Sequence, residues 1–238
     1  MIPYNPFTIG DRVVVLVSGG LESAVLLYHL KNLGYNDIYA ITFNYGQKSL
    51  LYELAASKRM CETAGVSEHL TFNLDMSVVG RSALTADDIP IPHTGEAFGP
   101  IDKTYVPARN LVFLSIAAGW AEVLGASFIV YGANGSDRPP DSKPEFIEAL
   151  NRTLSCGLQA TAVEGKKIEV VAPLSTYPKT GVVQLGYRLG VKFEDSVTCC
   201  APVGPTWEPI HCGECDDCLQ RRQAFKDNEI HDPTLYLV

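Results

Sequence analysis

Residues 12–23 read RVVVLVSGGLES, a β-branched run that stops at a Ser-Gly-Gly turn and passes into a helical pattern. Val13, Val14 and Val15 suit a strand buried on both faces, as in the interior of a parallel sheet. Beyond the turn, Ala24, Leu27 and Leu30 fall at three-residue spacing on one helix face. A strand-turn-helix unit puts its turn outside a strand C-terminus, where open α/β sheets bind ligands. Gly19 and Gly20 let the backbone bend tightly, and Ser18 and Ser23 add hydroxyls beside a helix N-terminus. That arrangement suits phosphate, through hydrogen bonds and the helix dipole. No Gly-Lys-Ser/Thr follows, so this is not a Walker loop. Taken alone, Ser-Gly-Gly is equally an ordinary turn.

The same alternation continues outward. Asp37 to Phe43 reads as a second buried strand, Lys48 to Ala64 as a helix, and His69 to Leu74 as a third strand. Gly80 to Tyr105 lacks periodicity and holds Pro90, Pro92 and Pro100, which marks a long functional loop expected to close over substrate. Order resumes with a helix at Arg109 to Leu124 and a strand at Phe128 to Gly132. A helix at Pro144 to Cys156 follows, with proline in the first position. Ile168 to Val171 is a further strand and Lys179 to Leu189 a further helix. Strands alternating with helices predict an α/β fold, a Rossmann-like parallel sheet with helices on both faces. The expected division is residues 1–195 for this domain and 196–238 for a cysteine-rich segment packed on it.

With 238 residues, 46% of them hydrophobic, the chain can bury one sizeable α/β core. Its net charge of −8 argues against the basic surface of a nucleic-acid binder. No apolar run reaches membrane-span length, and the N-terminus lacks a signal-peptide pattern, so a cytoplasmic protein is expected. The seven cysteines are odd in number. Cys212, Cys215 and Cys218 stand at two-residue gaps, which is metal spacing rather than a disulfide framework. An upstream thiol, Cys199 or Cys200, would complete a closed tetrahedral zinc shell of structural type. An iron–sulfur cluster is the metal alternative. Arg221, Arg222 and Lys226 read as a solvated charged helix face.

The loop at 18–23 resembles the Ser-Gly-Gly-x-Asp-Ser loop of enzymes that split ATP into AMP and pyrophosphate, with Glu22 at the usual Asp. Further segments narrow the match: TFNYGQK at 42–48, YVPARN at 105–110, GANGSD at 132–137, DSKPEF at 141–146, and Pro173-Leu174 ahead of Lys179. In this order, and with the C-terminal cysteines, they resemble the 7-cyano-7-deazaguanine synthases. The resemblance spans about Arg12 to Phe225, and its motifs are strong as a set. It implies the adenine nucleotide alpha hydrolase-like variety of the fold. It also implies a ligase that takes 7-carboxy-7-deazaguanine, ammonia and ATP to the nitrile in queuosine-type deazapurine biosynthesis. Relatives that stop at the amide, or join the activated deazaguanine to another amine such as one on a protein, are the alternative.

The resemblance further implies ATP contacts from Leu16, Val17, Ser18, Gly19, Gly20, Leu21, Glu22, Ser23, Ala24, Val25, Leu26 and Arg109. Glu22, Arg109 and Lys179 would be catalytic. Arg109 offers a planar fork for phosphates, Lys179 neutralises charge, and Glu22 holds Mg²⁺. Tyr45, Gln47, Asp137, Asp141 and Glu145 would contact substrate, although Asp141 also suits helix capping. The family register selects Cys199 with Cys212, Cys215 and Cys218 as the zinc ligands. A homodimer is implied as well. Departures from the family pattern cluster near the site, with Glu22 for Asp, Asn44 for Asp, Ala108 for Gly and Ser142 for Cys.

Overall fold

In a computed structural model, residues 11–93 and 102–238 are described. Part of the Gly80 to Tyr105 stretch therefore lies outside the described residues, and with it the expected closure over substrate.

The order is β1 (Val13–Leu16), α1 (Leu21–Asn32), β2 (Ile38–Asn44), α2 (Leu50–Ala64), β3 (Glu68–Asn73), α3 (Arg109–Leu124) and β4 (Phe128–Val130). Then come α4 (Pro144–Gly157), the single turn α5 (Gln159–Ala162), β5 (Glu169–Val171), α6 (Lys179–Arg188), β6 (Ile210–His211), α7 (Asp216–Asp227) and β7 (Leu235–Tyr236). The first five strands form one parallel sheet in the order β3-β2-β1-β4-β5. Chain progression reverses between β1 and β4, and a crevice at such a switch point is where ligands bind.

Alternation along β1 divides the interior. Val13, Val15 and Val17 pack with α1, α6 and α7, through Val25, Leu26, Val182, Val183 and Phe225. Val14 faces the other way, towards Leu114, Ala117 and Ala118 of α3 and Leu150 of α4. Both faces of the sheet are thus covered, which is why its central strands carry few polar residues. None of the helices among the described residues is long and apolar enough to cross a membrane.

Two local features set the cleft. Gly19 has φ +84, and a Cβ there would lie 2.6 Å from the Glu53 carbonyl oxygen. Glycine is what lets α2 press against the turn after β1. Ala108, just before α3, is also left-handed at φ +55, a conformation costing an alanine about 1–2 kcal/mol. Ala108→Gly should therefore stabilise the protein, offset in part by the freer unfolded chain. A rise in melting temperature of about 1–4 °C is expected in a calorimetric scan, and a fall would show that the turn does not strain Ala108.

Several contacts tie the C-terminal segment to the sheet domain, among them Tyr52 Oη donating to the Gly204 carbonyl and Asn228 Nδ2 to the Thr180 carbonyl. Val197 N–H donates to the Gly19 carbonyl at 2.9 Å, bracing the turn after β1. Arg221, expected on a solvated face, is instead fully buried. It forms an ion pair with Asp232 at 3.1 Å and donates to Ser196 Oγ (2.7 Å), Thr198 Oγ1 and the Phe193 carbonyl. A helical charge pattern cannot reveal a partner folding back from the chain end. Its neighbours do follow the expectation: Arg222 and Lys226 are exposed.

Candidate active site

A cleft of about 790 Å³ opens over the C-terminal ends of β1, β2 and β4, within the range of small-molecule sites. Leu16, Val17, Ser18, Gly20, Glu22 and Ser23 line it from β1 and the start of α1. Gly19 lies in the same turn but does not line the cleft. Leu21, Ala24, Val25 and Leu26 point into the core, so these five of the expected nucleotide contacts do not line the cleft. An α-helix buries the face opposite its ligand-binding end, and the run 24–26 is hydrophobic for that reason.

The turn holds itself together. Ser23 Oγ accepts from Ser18 N–H at 2.9 Å and meets Ser18 Oγ at 3.0 Å, while Gly20 N–H donates to Ser18 Oγ at 3.2 Å. The first N–H groups of α1 have no partners within their own helix, which is the polarity a phosphate requires.

Around this turn stands a charged network. Glu22 Oε1 accepts from the Lys179 ammonium, and from Asn134 Nδ2 at 3.2 Å. Asn134 Nδ2 also donates to Asp137 Oδ1 at 2.9 Å. The Lys179 backbone N–H, at the start of α6, donates to Ser136 Oγ at 3.1 Å. Burial lowers the Lys179 pKa, but Glu22, Asp217 and Asp137 outweigh it, and the net shift is upward. The ammonium therefore stays charged at neutral pH. Burial pushes the Asp137 carboxyl above its usual range, and neighbouring Glu22 adds to that.

The second half of the cleft is aromatic. Phe43 and Phe113 stack at 4.0 Å, Tyr45 packs on Phe113 at 5.4 Å, and Ile41 and Val106 extend the wall. Arg109 Nη1 donates to Tyr45 Oη at 3.3 Å. Arg109 and Tyr45, expected from different motifs, thus meet across the cleft. Asp141 caps a helix, but not the one that follows it. Its Oδ2 accepts the Asn110 N–H at 2.9 Å, so it caps α3 from across the cleft.

Two expected substrate residues stand elsewhere. Gln47 is buried and absent from the cleft wall. Its Oε1 accepts the Tyr45 N–H at 2.9 Å, and its Nε2 donates to the Phe43 carbonyl and to Glu53. Those bonds shape the loop after β2. Glu145 lies in a shallow neighbouring hollow with Phe146 and Leu111. Residues not foreseen in the wall include Ser49, Glu53, Asn110, Cys200 and Asp217. Burial pushes the Glu53 and Asp217 carboxyls upward from their usual range.

Cys199, Cys212, Cys215 and Cys218 place their Sγ atoms within 4.8 Å of one another. The Cys212–Cys218 sulfur separation is 3.9 Å. A tetrahedron of ~2.3 Å zinc–sulfur bonds has edges of about 3.8 Å, so the donor set fits a metal ion. Backbone N–H groups of Ala201 (3.3 Å) and Cys212 (3.2 Å) donate to Cys199 Sγ, the support a thiolate needs. Cys200 is outside the cluster and donates its thiol to Asp217 Oδ2 at 3.1 Å. Cys61 is buried in the core, where burial pushes its thiol up to about 12, and Cys156 is exposed.

Comparison with known proteins agrees with this architecture. Residues 12–229 match the family model described as queuosine biosynthesis protein QueC. The 7-cyano-7-deazaguanine synthase of Saccharophagus degradans is 42% identical over 227 residues, covering 94% of this chain and 97% of its own. Those of Desulfatibacillum aliphaticivorans and Pseudomonas putida are also 42% identical, covering 95% and 94% of this chain and 97% and 98% of theirs. Among solved structures, a U34-tRNA thiolase from Methanococcus maripaludis is 15% identical at a TM-score of 0.49, covering 93% of this chain and 66% of its own. That likeness is too distant to carry function. With the family model spanning nearly the whole chain and relatives this similar over their full length, the chain belongs to the 7-cyano-7-deazaguanine synthase family.

Proposed function

We propose that the chain converts 7-carboxy-7-deazaguanine and ammonia to 7-cyano-7-deazaguanine, with ATP as the activating agent. What supports this reading is near full-length similarity to 7-cyano-7-deazaguanine synthases, in a chain whose cleft joins a phosphate-type turn to an aromatic wall. The chemistry needs activation because a carboxylate oxygen is a poor leaving group. Attack of that oxygen on the α-phosphorus expels pyrophosphate and gives an acyl adenylate. Ammonia then displaces AMP and leaves the amide. A second adenylation, on the amide oxygen, lets AMP depart as two N–H protons are lost, and the carbon–nitrogen triple bond remains.

The residues contribute placement and charge. In this reading Ser18, Gly20 and Ser23 cradle phosphates at the α1 N-terminus. Lys179 and Arg109 meet the negative charge that grows on the departing pyrophosphate. Mg²⁺, when bound with ATP, screens the phosphates from one another. Glu22 and Asp137 supply the oxygen donors it prefers and would hold it. The four-cysteine cluster would hold Zn²⁺ as a closed structural site, since no fifth donor position is open to water. A homodimer, implied by the family resemblance, belongs to the same proposal.

The test is a mass-spectrometric assay of purified protein with ATP, Mg²⁺, ammonium and 7-carboxy-7-deazaguanine. Nitrile together with AMP and pyrophosphate is the expected outcome. Amide alone, or no base product, overturns the reading.

A further inference from the structure

The base substrate and ATP present different hydrogen-bonding edges. A 7-deazaguanine ring offers two adjacent donors, N1–H and the 2-amino group, and carries its carboxylate on the far side. Adenine alternates a 6-amino donor with the N1 acceptor, whose lone pair would repel a carboxylate. A site for the deazaguanine thus needs a flat apolar wall, a carboxylate that accepts two donors side by side, and a cation for the opposite end.

Seven carboxylates line the cleft: Glu22, Glu53, Asp102, Asp137, Asp141, Asp216 and Asp217. Glu22 and Asp137 are bound into the Lys179–Asn134 network beside the phosphate-type turn. Asp141 caps α3, and Asp102 caps its own turn through the Thr104 N–H and hydroxyl. Asp217 takes the Cys200 thiol, and Asp216 precedes it next to the four-cysteine cluster. Glu53 differs, because Gln47 ties it to the aromatic half: Gln47 donates to Glu53 Oε2 and accepts the Tyr45 N–H, each at 2.9 Å.

Glu53 is also held in place. Ser49 donates its hydroxyl to Oε1, and Gln47 Nε2 donates to Oε2 at 2.9 Å. One bond to each oxygen fixes the carboxylate plane and leaves a further lone pair on each. This explains why a glutamine is buried under the loop after β2. Both donors are neutral, so they orient the carboxylate without cancelling its charge.

We infer that Glu53, clamped by Ser49 and Gln47, reads the N1–H and 2-amino edge of the deazaguanine, whose ring lies along Tyr45 and Phe113. Arg109, which donates to Tyr45 Oη, is the cation on that aromatic wall, where the ring's carboxylate meets the phosphate it attacks. The inference rests on the proposed function for the identity of the base. It makes Glu53 a specificity-determining residue in contact with substrate.

The test measures equilibrium binding by calorimetry, with 7-carboxy-7-deazaguanine and with its analogue lacking the 2-amino group, in the presence of a non-hydrolysable ATP analogue. Wild-type protein is expected to prefer the natural base by about 30- to 150-fold, the range for a charged hydrogen bond of roughly 2–3 kcal/mol. Glu53→Gln keeps the shape but presents an amide N–H to one of the two donors. It should weaken the natural base by about 100-fold, bring the preference below about five-fold, and leave ATP-analogue affinity within two-fold. Glu53→Ala should erase the preference as well. Equal loss for both bases, or loss of nucleotide affinity instead, would overturn the assignment and leave Glu53 a brace or an adenine contact. Base recognition and turnover separate in the same experiment. Wild-type protein that binds and discriminates the bases but yields no nitrile keeps Glu53 and sinks the proposed function. Nitrile formation without discrimination at the 2-amino group does the reverse. Binding of neither base overturns both.

Discussion

Lys179→Met is expected to cut AMP release by about 10²- to 10³-fold, the loss found when one preorganised charge-stabilising group is removed. Lys179 lies at the start of α6, where burial alone would discourage its charge, yet Glu22, Asp217 and Asp137 hold it protonated. A fixed cation in a half-dry cleft needs no solvent reorganisation when charge develops on a leaving pyrophosphate. The variant also leaves Glu22 facing Asp137 without its cation, and Asn134 alone cannot neutralise them. The Lys179 and Glu22 side chains are 13% and 17% exposed. Solvent screens the pair in part, so the stability loss is set at about 2–3 kcal/mol rather than the larger figure for a fully buried pair. That corresponds to about 5–10 °C in melting temperature.

The two effects are separable. The double variant Glu22→Gln with Lys179→Met removes both charges and should recover most of the melting temperature. Its activity should stay low. Steady-state pyrophosphate release and differential scanning calorimetry on the three proteins decide the matter. A loss of activity below ten-fold in Lys179→Met would show that Arg109 alone carries the phosphate charge.

Stripping the metal is expected to have a comparable effect by a different route. Purified protein should hold one Zn²⁺ per chain by elemental analysis. Cys215→Ser, or a chelator applied with a thiol-blocking reagent, should lower the melting temperature by about 10 °C or more. Ligand binding at such sites is also folding free energy, and loss of about 4 kcal/mol shifts a chain of this length by that amount. Activity should fall with it. Thr198, Cys199, Cys200, Cys215 and Asp217 form one wall of the cleft, and Val197 N–H holds the Gly19 carbonyl. Release of the four-thiolate knot would free that wall and loosen the phosphate-type turn. Among the cysteines outside the cluster, Cys156→Ser is the matching control, because its side chain is exposed and far from the cleft wall. Full activity in a zinc-free Cys215→Ser protein would show that Arg221 and Asp232 hold the segment by themselves.

Much of the fold was legible along the chain. The helix at Arg109 to Leu124 has the expected bounds, and every expected strand forms within one or two residues of its expected ends. Each depends on side chains a few positions apart, whose spacing fixes which face is buried. The cysteine triplet was equally plain, because three ligands at two-residue gaps sit in one turn of chain. Less legible were residues whose roles depend on distant partners. Arg221 carries the same local signature as Arg222, and only Asp232, Ser196 and Thr198 closing around it make it a buried staple. Cys199 and Cys200 are adjacent, and residue spacing left both open. The family register selected Cys199, and the structure turns its sulfur to the cluster while Cys200 faces Asp217.

The sequence by itself determined the alternating elements, the turn after β1, the metal-type cysteines and the kinship of the chain. Those are local patterns, set by backbone sterics and by burial of near neighbours. Tertiary structure alone decided that Glu22 pairs with Lys179, 157 residues away, that Asp141 caps α3, and that Gln47 turns inward to hold Glu53. Such meetings arise when separate strands and helices pack at one end of a sheet, and no spacing along the chain encodes the distance between them.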